Sequence, residues 1–260
     1  MKIGLQMYTM RNQTKTQQDY IETIKKIHEI GYRHLQITTP PFFTVEEHKA
    51  LLDKYEMTAD SVFLPFTQIE ANIEKAVADA AIYGVDALRT DSIPQELRGS
   101  AEGYRTFAKE ANRIGALCRE KGLKFVYHFH AFEFINFDGI RGIDILLNET
   151  DPENVYFMPD VFWLTNAGTE ASRSLLMFKD RAFMMHVKDY AIRQLEGKIE
   201  SVPFFFAPVG TGNLYWEGII KSAKDMHMKY LIVEQDECEG DVFEAIKTSF
   251  NALQKMGIEA

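Results

Sequence analysis

The chain has 260 residues, of which 46% are hydrophobic and 26% charged, and a formal net charge of −9. This composition is globular, with ample material for a core; the acidic balance argues against a nucleic-acid partner, because a duplex-binding surface is normally basic. The two cysteines, Cys118 and Cys238, lie far apart with no Cys-x-x-Cys, which points to neither a disulfide framework nor a thiolate metal site.

Met1-Lys2-Ile3-Gly4 runs straight into a strand-like pattern, without the apolar core of a signal peptide, and no apolar run is long enough to span a bilayer. The expectation is a reduced, cytoplasmic protein with no membrane partner. Ile3 to Tyr8 alternates as a first strand, with Gly4, Gln6 and Tyr8 on one face. Thr16-Gln17-Gln18-Asp19 opens a helix striped by Ile21, Ile24 and Ile27 and stopped by Gly31. Arg33 to Thr38 is a second strand, with His34 and Gln36 on one side, and Thr44-Val45-Glu46-Glu47 is a capping box for the next helix. Thr58 to Leu64 reads as a third strand, Asn72 to Tyr83 as a helix ended by Gly84, and Val85 to Thr90 as a fourth strand. Tyr104, Phe107, Ala108, Ala111, Ile114 and Cys118 mark a long amphipathic helix.

Leu123 to His130 is the fifth strand. Alternation puts Phe125, Tyr127 and Phe129 on one face and Val126, His128 and His130 on the other, with Glu133 three residues beyond. Two histidines in step at a buried strand end are either core groups satisfied by hydrogen bonds or functional ones. Gly142 to Leu147 reads as helix, and Asn154 to Asp160 as a sixth strand facing Tyr156, Met158 and Asp160 one way. Ser172 to Phe178 is helical, and Ala182 to Asp189 is a seventh strand with Met184, His186 and Lys188 on one face. A long loop is expected from Tyr190 to Asn213, holding Pro203-Phe204-Phe205-Phe206 and Pro208-Val209-Gly210-Thr211-Gly212. Its glycines could hold an anion or simply turn the chain before a helix. Trp216 to Met226 is helix, Tyr230 to Gln235 an eighth strand with Tyr230, Ile232 and Glu234 on one face, and Val242 to Met256 the closing helix.

About eight strand–helix repeats, with no linker or composition break, predict one (β/α)8 TIM barrel over residues 1–260. No Gly-x-Gly-x-x-Gly follows a strand, so the dinucleotide-binding fingerprint is missing. In a barrel, Glu133, Asp160, His186 and Glu234 meet at the mouth formed by the C-terminal strand ends. Three carboxylates brought together must take up protons or a cation: two unit charges ~4 Å apart repel by about 4 kcal/mol at an effective dielectric of ~20. Oxygen ligands with one imidazole suit Mn²⁺, Mg²⁺, Co²⁺ or Zn²⁺; structural ion pairing is the alternative.

Several motifs resemble, in order, those of the sugar phosphate isomerase/epimerase family of the xylose isomerase-like barrels. They are Gly4-Leu5-Gln6-Met7-Tyr8 with Arg11, Tyr127-His128-Phe129-His130-Ala131-Phe132-Glu133-Phe134, Asp160-Val161-Phe162-Trp163, His186-Val187-Lys188-Asp189, Pro208-Val209-Gly210-Thr211-Gly212 and Val233-Glu234-Gln235-Asp236. The resemblance implies a divalent metal on Glu133, Asp160, His186 and Glu234, with His128 as the alternative first ligand because many relatives carry that ligand on strand five itself. Phe129 and Thr211 depart from the family pattern, as does Trp163, where some members have a histidine. The implied activity is isomerisation or epimerisation of a sugar, keto-sugar or polyol through a metal-stabilised enediolate. Glu234 and Glu133 would serve as base and acid on the two faces of the substrate, assisted by His128 and His130. Lys188 would balance charge or pair with Asp189, and Tyr8 and Trp163, with Phe129, would wall the sugar. The same ligands would serve a lyase acting on a keto-polyol or a 3-keto-glycoside. An endonuclease IV-like hydrolase fits the acidic charge poorly, and a non-catalytic sugar-binding barrel would need no metal. Self-association is left open.

Overall fold

The computed structural model describes residues 1–194 and 204–260. Strands β1 (Lys2–Gln6), β2 (His34–Ile37), β3 (Thr58–Phe63), β4 (Ala87–Thr90), β5 (Lys124–His128), β6 (Val155–Met158), β7 (Met184–Val187) and β8 (Tyr230–Val233) form one sheet. Between and after the strands come, in turn, the helices α1 (Gln17–Ile30), α2 (Val45–Lys54), α3 (Ile73–Tyr83), α4 (Ala101–Glu120), α5 (Gly142–Glu149), α6 (Ala171–Leu175), α7 (Trp216–Asp225) and α8 (Val242–Lys255), with shorter helical turns beside them. Neighbouring strands are parallel in the order β6-β5-β4-β3-β2-β1-β8-β7. The seam between β6 and β7 has no continuous ladder. It is bridged by the Phe157 amide donating to the Arg181 carbonyl at 2.7 Å and the His186 amide donating to the Pro159 carbonyl at 2.8 Å. The expected (β/α)8 barrel is therefore the fold observed, nearly closed, with its last bridge pairing Asp160 and His186.

Local chemistry accounts for the helix ends. Thr16 accepts from the Asp19 amide at the start of α1, and Thr44 and Glu47 form the reciprocal capping box of α2. Gly31 at φ +123° and Gly84 at φ +67° end α1 and α3 in conformations that disfavour a side chain.

Period-two alternation sorts the strand residues into two apolar layers. Phe125, Tyr127, Phe157 and Val187 pack outward under the helices. Ala87, Val126, Met158, Met184, Tyr230 and Ile232 fill the barrel interior. Gly4 faces that interior, where a Cβ would meet Ile232 Cδ1 at 2.4 Å.

Three segments differ from expectation. Strand β1 stops at Gln6, and Met7–Gln13 coils into 3₁₀ turns that carry Tyr8 to the surface, 54% exposed. Within the expected loop, Asp189–Ile192 pairs antiparallel with Phe204–Ala207, and Tyr190, Phe204 and Phe206 pack around Phe162. Cross-strand aromatic packing supplies the partners that the linear pattern did not show; Pro203 of the expected run lies outside the described residues. A small hairpin, Asn136–Phe137 with Ile140–Arg141, precedes α5. Among the described residues no helix is long and apolar enough to cross a membrane.

Candidate active site

The alternation that builds the apolar interior runs on to the C-terminal ends of the strands and, at Asp160 and Glu234, just past them. Two positions beyond Val126, Met158, Met184 and Ile232 stand His128, Asp160, His186 and Glu234. All four are buried, and one ligating atom from each lies within 4.8 Å of the others. His186 Nδ1 is 3.0 Å from Glu234 Oε2, 3.2 Å from His128 Nε2 and 3.7 Å from Asp160 Oδ2. Asp160 also caps the short helix Val161–Asn166: its Oδ1 accepts from the Phe162 and Trp163 amides, which leaves Oδ2 for the group.

Burial drives the imidazoles toward neutrality, with His128 lowered to about 3, His130 lowered to about 2 and His186 held well below the usual range. Neutral rings are the ligating form. The facing nitrogens of His128 and His186 must share either one proton or a cation. Two imidazole nitrogens and two carboxylate oxygens fit a divalent cation such as Zn²⁺, Mn²⁺ or Co²⁺.

Lys188 enters the same space. Its Nζ lies 2.8 Å from Glu234, 3.0 Å from Asp236 and 3.2 Å from Asp160. Burial favours the neutral amine, but the carboxylates of Asp160, Glu234 and Asp236 outweigh it and hold the ammonium form.

The structure thus brings Asp160, His186 and Glu234 together at the expected place. Glu133 stands apart, which corrects the expectation that it supplies a ligand. Its carboxylate accepts from the Tyr127 hydroxyl, and at 2.9 Å from the His130 amide. Tyr127 belongs to the outer face of β5, so Glu133 lies behind the strand while His128 points into the barrel. The cause is local: position 133 is in step with Tyr127 rather than with His128, and the 3₁₀ turn Phe132–Phe134 that follows β5 folds its carboxylate back onto the Tyr127 hydroxyl and the His130 amide. Burial raises Glu133 to about 7, against the opposing effect of its two hydrogen bonds.

A cavity of about 590 Å³ opens above the group, with Tyr8, His130, Trp163 and Lys188 among its walls. His130 stacks on Phe132 and meets the edge of Trp163 at 5.0 Å. Phe129, expected near the sugar, instead packs in the outer layer against Phe178. Lys188 does not pair with Asp189. The Asp189 carboxylate is the anion held by the glycine loop: it accepts from the Gly210 and Gly212 amides, each at 3.0 Å, and from Trp216 Nε1 at 2.7 Å. Four residues of the site escaped the sequence reading of the ligand set. Asp236 shares Glu234's face by alternation. Arg89, ion-paired with Asp91, faces inward beside His128. Gln36 contacts His186 Nε2 at 2.8 Å, and its inward register was visible without its partner.

The chain matches the model of the xylose isomerase-like TIM barrel family over residues 24–256. An inosose dehydratase of Clostridium perfringens is 31% identical over 145 residues, covering 52% of this chain and 48% of that protein. The chain therefore matches about half the length of the curated relatives. A sugar phosphate isomerase/epimerase from Parabacteroides distasonis superposes with a TM-score of 0.79 at 21% identity, over 97% of this chain and 93% of the other. The IOLI protein, whose structure carries a bound zinc atom, superposes with a TM-score of 0.75 at 14% identity, over 98% of this chain and 97% of the other. This chain belongs to the xylose isomerase-like TIM barrel family.

Proposed function

We propose that this protein is a divalent-metal-dependent lyase that removes water from a cyclic keto-polyol. The carrying observation is the buried His128–Asp160–His186–Glu234 group, two of whose members, His128 and Glu234, line a cavity of about 590 Å³. The zinc in the IOLI protein supports a cation on such a barrel, and the inosose dehydratases among the relatives support the reaction class. When bound, the cation supplies positive charge for the substrate's carbonyl and a neighbouring hydroxyl.

The remaining work falls to the side chains. Glu234 borders both the ion group and the cavity and takes the proton from the carbon next to the carbonyl. The electron pair left on that carbon forms a carbon–carbon double bond as the adjacent C–O bond breaks. The departing hydroxide takes a proton from the Lys188 ammonium and leaves as water. The proton on Glu234 then returns to Lys188, 2.8 Å away, which resets both groups. Trp163 and His130 wall the ring.

Isomerisation or epimerisation is the second reading, favoured by the Parabacteroides neighbour. An acid–base pair of Glu133 and Glu234 on opposite substrate faces is absent from this geometry, because Glu133 lies behind β5. Elimination with base and acid on one side needs no such pair. Arg89 pairs with Asp91, Lys188 with three carboxylates, and Arg11 with the backbone carbonyls of Tyr8 and Asp236. With its cations so engaged, the cavity suits a neutral polyol better than a sugar phosphate.

The test is incubation of the Mn²⁺- or Zn²⁺-loaded protein with inososes, keto-sugars and 3-keto-glycosides in D₂O. Deuterium next to the carbonyl together with a dehydrated product is expected, and Glu234→Gln should lower turnover at least about 10³-fold and weaken metal binding. Deuterium uptake with an epimer and no dehydration would replace the lyase by the isomerase, and undiminished turnover in Glu234→Gln would remove the glutamate from the mechanism.

A further inference from the structure

A histidine presents one lone pair in its neutral form, and the hydrogen bond made by the other nitrogen decides which. At His186 that decision can be traced to the backbone. The Tyr8 amide lies 3.2 Å from the Gln6 side chain. An amide N–H only donates, so the Gln6 atom facing it is the carbonyl oxygen Oε1. The Gln6 NH₂ then points the other way, 3.3 Å from Gln36. It too only donates, so Gln36 must answer with its own oxygen. The Gln36 NH₂ is thereby placed 3.3 Å from the sulfur of Met158 and 3.4 Å from that of Met184, atoms that accept weakly and donate nothing. A flipped Gln36 would set its oxygen against both sulfurs and its NH₂ against the NH₂ of Gln6. The same oxygen sits 2.8 Å from His186 Nε2, which must therefore carry the ring proton.

The alternative tautomer has its own attraction. It would put Nδ1–H against the Glu234 carboxylate at 3.0 Å, a charge-assisted bond stronger than one to a neutral amide. That arrangement would spend the nitrogen that faces the other ligands. We propose that Gln6 and Gln36 are positioning residues that lock His186 as the Nε2–H tautomer, against the pull of Glu234, and so reserve Nδ1 for a divalent cation. The reservation rests on the metal reading above; the tautomer does not. Gln36 is fully buried in the barrel, where no bulk water can reorient it, and Gln6 is buried at the edge of the cavity.

Two-bond ¹H–¹⁵N correlation spectra of the ¹⁵N-histidine-labelled, metal-free protein read the tautomer directly. Calorimetry with Zn²⁺ and with Mn²⁺ reads the consequence. The wild type is expected as Nε2–H. Gln36→Leu should move His186 to Nδ1–H and weaken both ions ~10–100-fold, the usual cost of losing a partner of a metal-bound histidine. Gln36→Glu keeps the accepting oxygen and should restore the tautomer and most of the affinity. Gln6→Leu, one step further out, should shift the tautomer only in part. A wild type found as Nδ1–H, or a Gln36→Leu variant with tautomer and affinities unchanged, would overturn the relay. A wild type that is Nε2–H but takes up neither ion would overturn the metal reading instead. Should Gln36→Leu fail to fold, the wild-type spectrum and Gln6→Leu still decide.

Discussion

The interior of this barrel has two storeys built by the same strands. The lower one is apolar, formed by Ala87, Val126, Met158, Met184 and Ile232. Two residues further along, the rim carries Arg89, His128, Asp160, His186 and Glu234, all buried. The step is a single strand repeat, yet polarity inverts across it. Stacked in this way, the apolar storey keeps water from beneath the charges, so interactions at the rim act at low effective dielectric. Unpaired charges there are correspondingly costly, and Lys188 and the proposed cation keep them paired.

The sharpest way to break this contrast is to remove the ammonium that the clustered carboxylates share. Lys188→Met leaves Asp160, Glu234 and Asp236 without their ammonium. The metal-free protein should lose about 3–5 kcal/mol, the usual penalty for stripping one partner from a buried ion group. Urea unfolding in EDTA measures the loss, and saturating Mn²⁺ should recover a large part of it. An unchanged midpoint would mean that the carboxylates are neutral or solvated.

Asp60 tests the contrast from inside, because it places a carboxyl beside Gly4 in the interior. Burial raises it from 3.8 to about 7, against the opposing effects of Ser61 and Arg89. A folded-state value above the unfolded one means a contribution that is complete below pH 3.8 and lost as pH rises through about 7. The stability difference between wild type and Asp60→Asn should therefore shift by up to about 4 kcal/mol between acid and mildly alkaline pH, to the detriment of the wild type at high pH. Denaturant unfolding of both proteins across that range checks it, and a flat difference would mean that the fold leaves Asp60 with its ordinary acidity.

The smallest expected effect comes from overfilling the apolar storey. Gly4→Ala drives a Cβ to 2.4 Å from Ile232 Cδ1. Because that methyl can yield, the cost should be about 1–3 kcal/mol. Pairing the change with Ile232→Val should return part of it, as a thermal-melt comparison of the single and double variants would reveal.

Most of the barrel was legible because its signals are local. Thr16, Thr44, Gly31 and Gly84 bound their helices by hydrogen bonds and backbone angles within a few residues. Asp160, His186 and Glu234 were placed correctly because each continues the register of a strand. Glu133 was misplaced because it was assigned from the family motif and its place just past the strand end; strict alternation puts position 133 in step with Tyr127, on the outer face, where the structure holds it. Asp189 and the glycine loop were read separately, although they are one hydrogen-bonded unit of residues more than 20 apart.

By itself, then, the chain's pattern determined the eight repeats, the inward face of each strand and three of the four clustered donors, since alternation and capping act over a few residues. Only the closed barrel decided that His128 completes the group, that Lys188 reaches three carboxylates and that a backbone amide at Tyr8 governs the proton on His186. His128 and His186 are 58 positions apart, and Gln36 and His186 are 150 apart. Whether such atoms meet depends on strand order, shear and the seam at Asp160–His186, which no local pattern records.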